Sequence, residues 1–339
     1  MLVMMLKELA LWPQKLKEGV RLAKDFVGRY EAMIPRHITN IVFVGMGGSG
    51  IAGRIIKTFI DRRSVVSACV IDSCDLPANI GVNTLAIVVS YSGNTWETLA
   101  VLSQLSERFI PTIILASGGG AIEYAEKKNI PFVLIPQSTT PRAALGYFLG
   151  FIVELLDMLN LLNEALKIDA FCRHAELYIP KFEDEQFFKK FLCAVSGYDF
   201  FHVWGISGLS GAFAYRAQTQ FNENSKVQAV YSSFPELTHN LINGFEKFDK
   251  NPYVIFFALD FLPVTLSKAI EATCEILHQK GVVLYKPPVL GNTLEEQLFN
   301  IILWSDYASY YLGKTRGIDV EGVKIITALK ETLKAKGIK

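Results

Sequence analysis

The 339-residue sequence has no uninterrupted apolar run long enough to cross a membrane as a helix. Such a helix needs about 20 residues. The best stretch, residues 143–153, is stopped by Glu154. Neither sign of charge is in excess: 34 Lys and Arg face 33 Asp and Glu, a formal charge of +1. That argues against a nucleic-acid binder held by a broad basic surface, but leaves room for a small anion site. Cysteine is sparse and unpatterned. Cys69, Cys74, Cys172, Cys193 and Cys274 form no C-x-x-C pair and read as reduced, mostly buried thiols. The five histidines show no metal spacing, so neither a metal nor a cofactor is expected. The apolar N-terminus meets Lys7 and Glu8 too soon for a secretory leader, which makes a cytoplasmic protein the expectation.

What is present is apolar content of 50%, which excludes disorder. A helix is predicted over 10–30, with Pro13 in its first turn. Short apolar runs at 41–44, 65–71, 85–90, 112–116 and 132–135 read as strands. Helical patterns at 95–108, 121–128 and 142–161 separate most of them. Residues 160–194 are mostly helical, carry charge between 181 and 190, and read as a connection. A second series follows, with strands at 201–205, 228–231, 253–259 and 282–285. Its helices fall at 208–221, 264–280, 294–312 and 320–336. The expected class is α/β: two doubly wound parallel-sheet domains, flavodoxin-like and packed together, divided as 1–160 and 161–339. The halves resemble an old duplication, since Val44 to Gly50 and Trp204 to Ser210 occupy equivalent places. In the second half Leu259 to Pro263 stands where the first half has a hydroxyl-rich turn, so only the first half kept those hydroxyls.

Gly45, Gly47 and Gly50 satisfy G-x-G-x-x-G after a strand and before a helix, and Asp72 ends the next strand. This suits a dinucleotide site, or only a tight strand-to-helix turn. Ser90, Tyr91, Ser92, Gly93, Asn94 and Thr95 form a second loop after the strand at 85–90. Its hydroxyls, the Gly47-Gly48-Ser49 turn and two helix N-termini suit one compact phosphate better than a dinucleotide. A serine-rich cap and turn is the plain alternative.

Together, Gly-x-Gly-Gly-Ser-Gly and Ser-Tyr-Ser-Gly-Asn-Thr-x-Glu-Thr resemble the sugar isomerase domain, which binds phosphosugars. The tandem arrangement resembles the phosphoglucose isomerase superfamily, and within it the bifunctional phosphoglucose/phosphomannose isomerases. The resemblance implies reversible isomerisation of glucose 6-phosphate, and of mannose 6-phosphate, with fructose 6-phosphate through a cis-enediolate. It implies phosphate binding at Gly47, Gly48, Ser49, Ser90, Ser92 and Thr95. Asn222-Glu223-Asn224 resembles the family segment that makes Glu223 the base, a role that partial burial favours by raising a carboxylate pKa. An exposed turn after a helix ending near Phe221 is the plain reading of the same residues. His239, before Asn240, resembles the ring-opening acid/base that a neighbouring subunit contributes, which implies a homodimer. Arg142, in Pro141-Arg142-Ala143-Ala144-Leu145, resembles the residue that stabilises enediolate charge. At a helix start an arginine opposes the dipole, so it needs a reason of its own, and an ordinary ion pair would serve. Thr315 resembles a threonine associated with accepting both C2 epimers, and the resemblance implies that Lys324 of the last helix reaches the site; a helix N-terminus and a surface lysine are the plain readings of these two. Two other readings compete: a nicotinamide oxidoreductase built on Gly45 to Gly50 and Asp72, and a non-catalytic phosphosugar regulator. The partners implied are sugar phosphates, with no nucleic acid and no membrane.

Overall fold

A computed structural model describes residues 2–162, 166–247 and 253–338. Residues 163–165 of the expected connection, and Met1 of the apolar N-terminus, lie outside the described residues. In chain order the elements begin with α1 (Leu2–Ala10), α2 (Trp12–Tyr30), β1 (Asn40–Val44), α3 (Gly47–Arg63), β2 (Ser67–Ile71) and β3 (Thr84–Val89). There follow α4 (Trp96–Glu107), β4 (Thr112–Ala116), α5 (Gly120–Lys128), β5 (Phe132–Leu134), α6 (Leu145–Met158), α7 (Ile168–Phe182) and α8 (Lys189–Val195). The remainder is β6 (Phe200–Ile206), α9 (Gly211–Asn224), β7 (Gln228–Phe234), β8 (Tyr253–Phe256), α10 (Val264–Gln279), β9 (Leu284–Tyr285), α11 (Leu294–Thr315) and α12 (Lys324–Ala335).

The chain forms two compact units. One contains Leu11–Cys172 and Gly322–Lys339, the other Met1–Ala10 and Arg173–Glu321. A cut after residue 160 follows chain order, whereas compactness assigns the first helix to the later sheet and the last helix to the earlier one. In the later unit the Met5 N–H donates to Glu321 Oε1 at 3.0 Å, and α1 packs on α11.

The earlier unit has a five-stranded parallel sheet in the order β2-β1-β3-β4-β5. Both central strands, β3 and β4, are buried along their whole length. Helices cover both faces of such a sheet, so its strands read as continuous apolar runs rather than alternating ones. Val42, Val88, Leu102, Ile114 and Ala121 lie in one core cluster of this unit. The later unit repeats the plan with four parallel strands, β7-β6-β8-β9. Both are the doubly wound order expected from the alternating pattern.

Local differences have local causes. The helix expected over 10–30 breaks at Leu11, because Pro13 sits in the first turn of α2 and has no N–H to continue a helix through it. The helix expected over 142–161 begins instead with a 3-10 turn, Pro141–Ala144, ahead of α6. Conversely, α9 runs past Phe221 to Asn224, and Lys226 at φ +51° follows its end.

α2 and α6 cross in close contact. A Cβ on Gly150 would lie 2.2 Å from the Leu16 carbonyl oxygen. Gly150→Ala should therefore lower stability by about 1–3 kcal/mol through overpacking. The urea midpoint measures this, and an unchanged midpoint would show that the crossing can open without cost.

Two histidines belong to the core of the later unit. His174 Nε2 lies 3.4 Å from Asn300 Oδ1, and the His202 ring packs edge-on against Phe200. Burial pushes both below the usual imidazole range. A histidine kept neutral in the folded state binds its proton more readily when unfolded. Its stabilising contribution is thus whole above the ordinary pKa of about 6.5 and is lost as pH falls below it. The urea midpoint should fall between pH 7.5 and pH 5.5, and fall less in His202→Leu. An identical fall in that variant would remove His202 from the effect.

Candidate active site

In a doubly wound sheet the chain leaves β1 toward one face and β3 toward the other. That opens a crevice beyond their C-terminal ends. The Gly45 to Gly50 turn follows β1, and the Ser90 to Thr95 turn follows β3, so both expected phosphate loops stand at this crevice. They are joined directly: the Tyr91 N–H donates to Ser49 Oγ at 3.0 Å. Ser49 is buried and accepts this bond, which leaves its own proton for another acceptor. The Ser90 hydroxyl approaches Thr95 Oγ1 at 3.4 Å as donor, again leaving the Thr95 proton. Thr95 stands at the N-cap of α4 without using its hydroxyl as a cap. Ser92 is exposed and accepts from the Asn94 N–H at 3.3 Å. Gly47 and Gly48 open α3, and the first N–H groups of a helix have no carbonyl partner four residues back.

Arg142 comes to the same place from the 3-10 turn after β5. Gly48 packs on it so closely that a Cβ there would sit 3.2 Å from the Arg142 Cα and N. Arg142 is 2% exposed. Two groups that sequence reasoning missed hold this turn. Lys15 on α2 is buried and donates from Nζ to the Ala143 carbonyl at 2.9 Å. Tyr91 Oη donates to the Ser138 carbonyl at 3.0 Å and accepts from the Ser138 N–H at 2.5 Å. Its own carbonyl accepts from Ser117 Oγ at 2.6 Å. Nothing in local pattern distinguishes a lysine under a helix crossing from a solvated one, so Lys15 had no sequence signal. Tyr91 lay inside a motif noted for its serines.

The later unit holds the other predicted residues. Glu223 is half-buried in the last turn of α9, not in a free turn beyond it. Thr315 is the last residue of α11, and its hydroxyl donates to the Leu312 carbonyl at 3.0 Å. Gly313 touches the Asn224 carbonyl, which brings the ends of α9 and α11 together. His239 is exposed and ends a 3-10 turn, Glu236–His239, beyond the other end of β7. Lys324 is the first residue of α12, exposed, in the same compact unit as the phosphate loops. The duplicated loop is closed on itself. Ser210 Oγ accepts from the Ile206 N–H and donates to the Phe257 carbonyl, both at 3.0 Å. Asp260 accepts from Gln297 Nε2 at 2.7 Å. On the nucleotide side, the Asp72 carboxylate pairs with Arg54. Among the described residues no group of three or more His, Cys, Asp or Glu is placed to hold a metal ion.

Comparison with known proteins places both sheets in one family of domains. Residues 36–133 match the SIS domain, and residues 193–333 match the bacterial phospho-glucose isomerase C-terminal SIS domain. The chain is 32% identical over 327 residues to a bifunctional phosphoglucose/phosphomannose isomerase of Thermoplasma volcanium, covering 94% of this chain and 97% of that one. It is 30% identical over 332 residues to a protein of the same description from Caldicellulosiruptor bescii, covering 95% and 96%. A crystal structure of tagatose-6-phosphate ketose/aldose isomerase from Escherichia coli shares the fold, with a TM-score of 0.69 at 16% identity, covering 94% of this chain and 95% of that one. Two doubly wound sheets, two phosphate-type loops on the first alone and full-length similarity thus assign this chain to the bifunctional phosphoglucose/phosphomannose isomerase family.

Proposed function

We propose that the protein interconverts glucose 6-phosphate and mannose 6-phosphate with fructose 6-phosphate. The observation that carries this reading is the contact between Gly48 and the Arg142 backbone, which sets a helix N-terminus suited to phosphate against the turn that bears a buried arginine. The N–H groups of Gly47 and Gly48 and the hydroxyls of Ser49, Ser92 and Thr95 hold the phosphate, with the Ser90 hydroxyl turned onto Thr95 and the Ser49 N–H onto the Met46 carbonyl. His239 takes the O1 proton of the cyclic sugar and returns a proton to the ring oxygen as the C1–O5 bond breaks. Glu223 then removes the C2 proton, and the electron pair forms the C1–C2 double bond with charge on oxygen. Arg142 stabilises that enediolate, with Lys324 adding positive charge. The O2 proton passes to O1, Glu223 returns its proton to C1, and the ketose results. Rotation about C2–C3 before the reverse step presents the other face of C2 and yields the second epimer.

Glu223 precedes β7 and His239 follows it. Seven residues of extended strand separate them by about 20 Å. One chain does not bring both to one sugar, which supports a homodimer in which His239 serves the partner's site. The same reading assigns the enzyme to the cytoplasm and to glycolysis and gluconeogenesis, and the five free thiols accord with a reducing compartment.

Glu223→Gln and His239→Gln should each lose isomerisation while still binding phosphosugar. Refolded together at equal amounts, half the dimers are mixed and each has one intact site, so about a quarter of the wild-type rate should return. A mixture as inactive as its parents rejects the shared site, and turnover by Glu223→Gln alone rejects the base. Thr315→Gln should lower mannose 6-phosphate turnover more than glucose 6-phosphate turnover in a coupled assay. Equal losses would sink the role of Thr315 in epimer acceptance.

A further inference from the structure

α9 and α11 meet along a row of buried polar groups. Asp306 Oδ1 accepts from Arg216 Nη2 at 2.9 Å and from Gln220 Nε2 at 2.8 Å. One turn on, Ser309 Oγ accepts from Asn224 Nδ2 at 2.9 Å and donates to the Asp306 carbonyl at 3.1 Å. The Ser309 carbonyl accepts from Ser225 Oγ at 2.8 Å. One turn further, Gly313 admits the Asn224 carbonyl so closely that a Cβ would lie 2.4 Å from its oxygen. Residues 216, 220 and 224 form one i, i+4 row, and 306, 309 and 313, spaced by three and then four, form the facing row. Arg216, Gln220, Asn224, Ser225, Asp306 and Ser309 are each at most 1% exposed.

Apolar side chains of equal volume would hold two helices together at least as well. Directional bonds add something else: they fix axial register and rotation, since one step of slip leaves buried polar groups unmatched. The other flank of Glu223 is fixed as well. Asn222 Oδ1 accepts from the Ala229 N–H at 2.7 Å, and Asn222 Nδ2 donates to the Ala229 carbonyl at 3.4 Å. Glu223 thus stands between two asparagines anchored to different elements, one on β7 and one on α11. Gly313, at the end of the seam, is two residues from Thr315.

We propose that the α9–α11 seam is the positioning device of the reaction. Ser309, through Asn224, and Gly313, through the Asn224 carbonyl, hold Glu223 in register with Thr315 and so govern both proton transfer and epimer choice. The proposal rests on Glu223 being the base. The seam residues are buried, so they act through Glu223 and Thr315.

Ser309→Ala tests it, assayed on both aldose phosphates. A displacement near 1 Å at a reacting group can cost about a hundredfold, so kcat should fall about ten- to a hundredfold with KM changed less than about twofold. The acid limb of the kcat/KM profile should shift, because the surroundings of the base change. Ser309→Thr, which keeps the hydroxyl, should recover most of the rate. Gly313→Ala, which drives Asn224 away from α11, should change the ratio of mannose to glucose 6-phosphate turnover. A loss of kcat that matches only the fraction of folded protein, with an unmoved acid limb and an unchanged epimer ratio, overturns the positioning role. Turnover by Glu223→Gln overturns the base assignment instead, so the two failures are told apart. If Ser309→Ala is recovered unfolded, Ser225→Ala removes the next bond of the seam and is read by the same criteria.

Discussion

The hydrogen bond from the Tyr91 amide to the Ser49 hydroxyl closes the ends of β1 and β3 onto each other. What the earlier unit offers a ligand depends on that closure. Parallel strands wound to opposite faces leave a crevice, and a crevice is only a gap until side chains define its walls. Here the bridging serine lies in the glycine turn and the bridging amide in the serine turn, so one bond sets both loops. From Tyr91 the restraint continues through its phenol to Ser138 and on toward the Arg142 turn. In the later unit a serine, Ser210, also lies between the strand ends, but both its hydroxyl functions are taken by backbone, and the paired loop carries Asp260 and Pro263. Each unit thus has a serine at the ends of its central strands, but with different partners.

A chain of net charge +1 is an unpromising host for a phosphate dianion if charge is counted over the surface. The local count differs. Oriented N–H groups at the start of α3 supply positive potential without net charge. Two cations, Lys15 and Arg142, are buried at the turn against which α3 begins. Burying a cation is costly unless it is answered. The Ala143 carbonyl answers Lys15 and ties the Arg142 turn to the α2–α6 crossing. That crossing is close because Gly19, Gly146 and Gly150 have no side chains. Packing far from the crevice therefore helps to set the electrostatics inside it.

Strand direction imposes the second large constraint. α9 runs antiparallel to the strands it covers, so its last turn falls at the edge where β7 begins. The turn bearing His239 falls at the edge where β7 ends. The proposed base and the proposed ring-opening group are thus kept apart by the geometry of one strand. Assembly of two copies is the simple resolution, and the exposure of His239 accords with it.

Much of this was legible in residues alone. The alternation of apolar runs and amphipathic segments determined two doubly wound sheets, because strands buried on both faces must be apolar throughout. The loop motifs marked the crevice, because only small residues and hydroxyls suit a backbone that approaches an anion. Other features had no local signature. Lys15 is a core residue only because two glycine-bearing segments cross above it. Glu223 looked like part of a free turn, because the bonds that extend α9 to Asn224 come from α11, some 85 residues later. The assignment of α1 and α12 to compact units against chain order was equally hidden, since it follows from which apolar faces found each other. Local propensity and composition therefore determined the elements and the chemistry of the loops. Tertiary structure decided which side chains are buried, which are paired and which edge of a sheet each occupies, because those depend on neighbours remote in sequence.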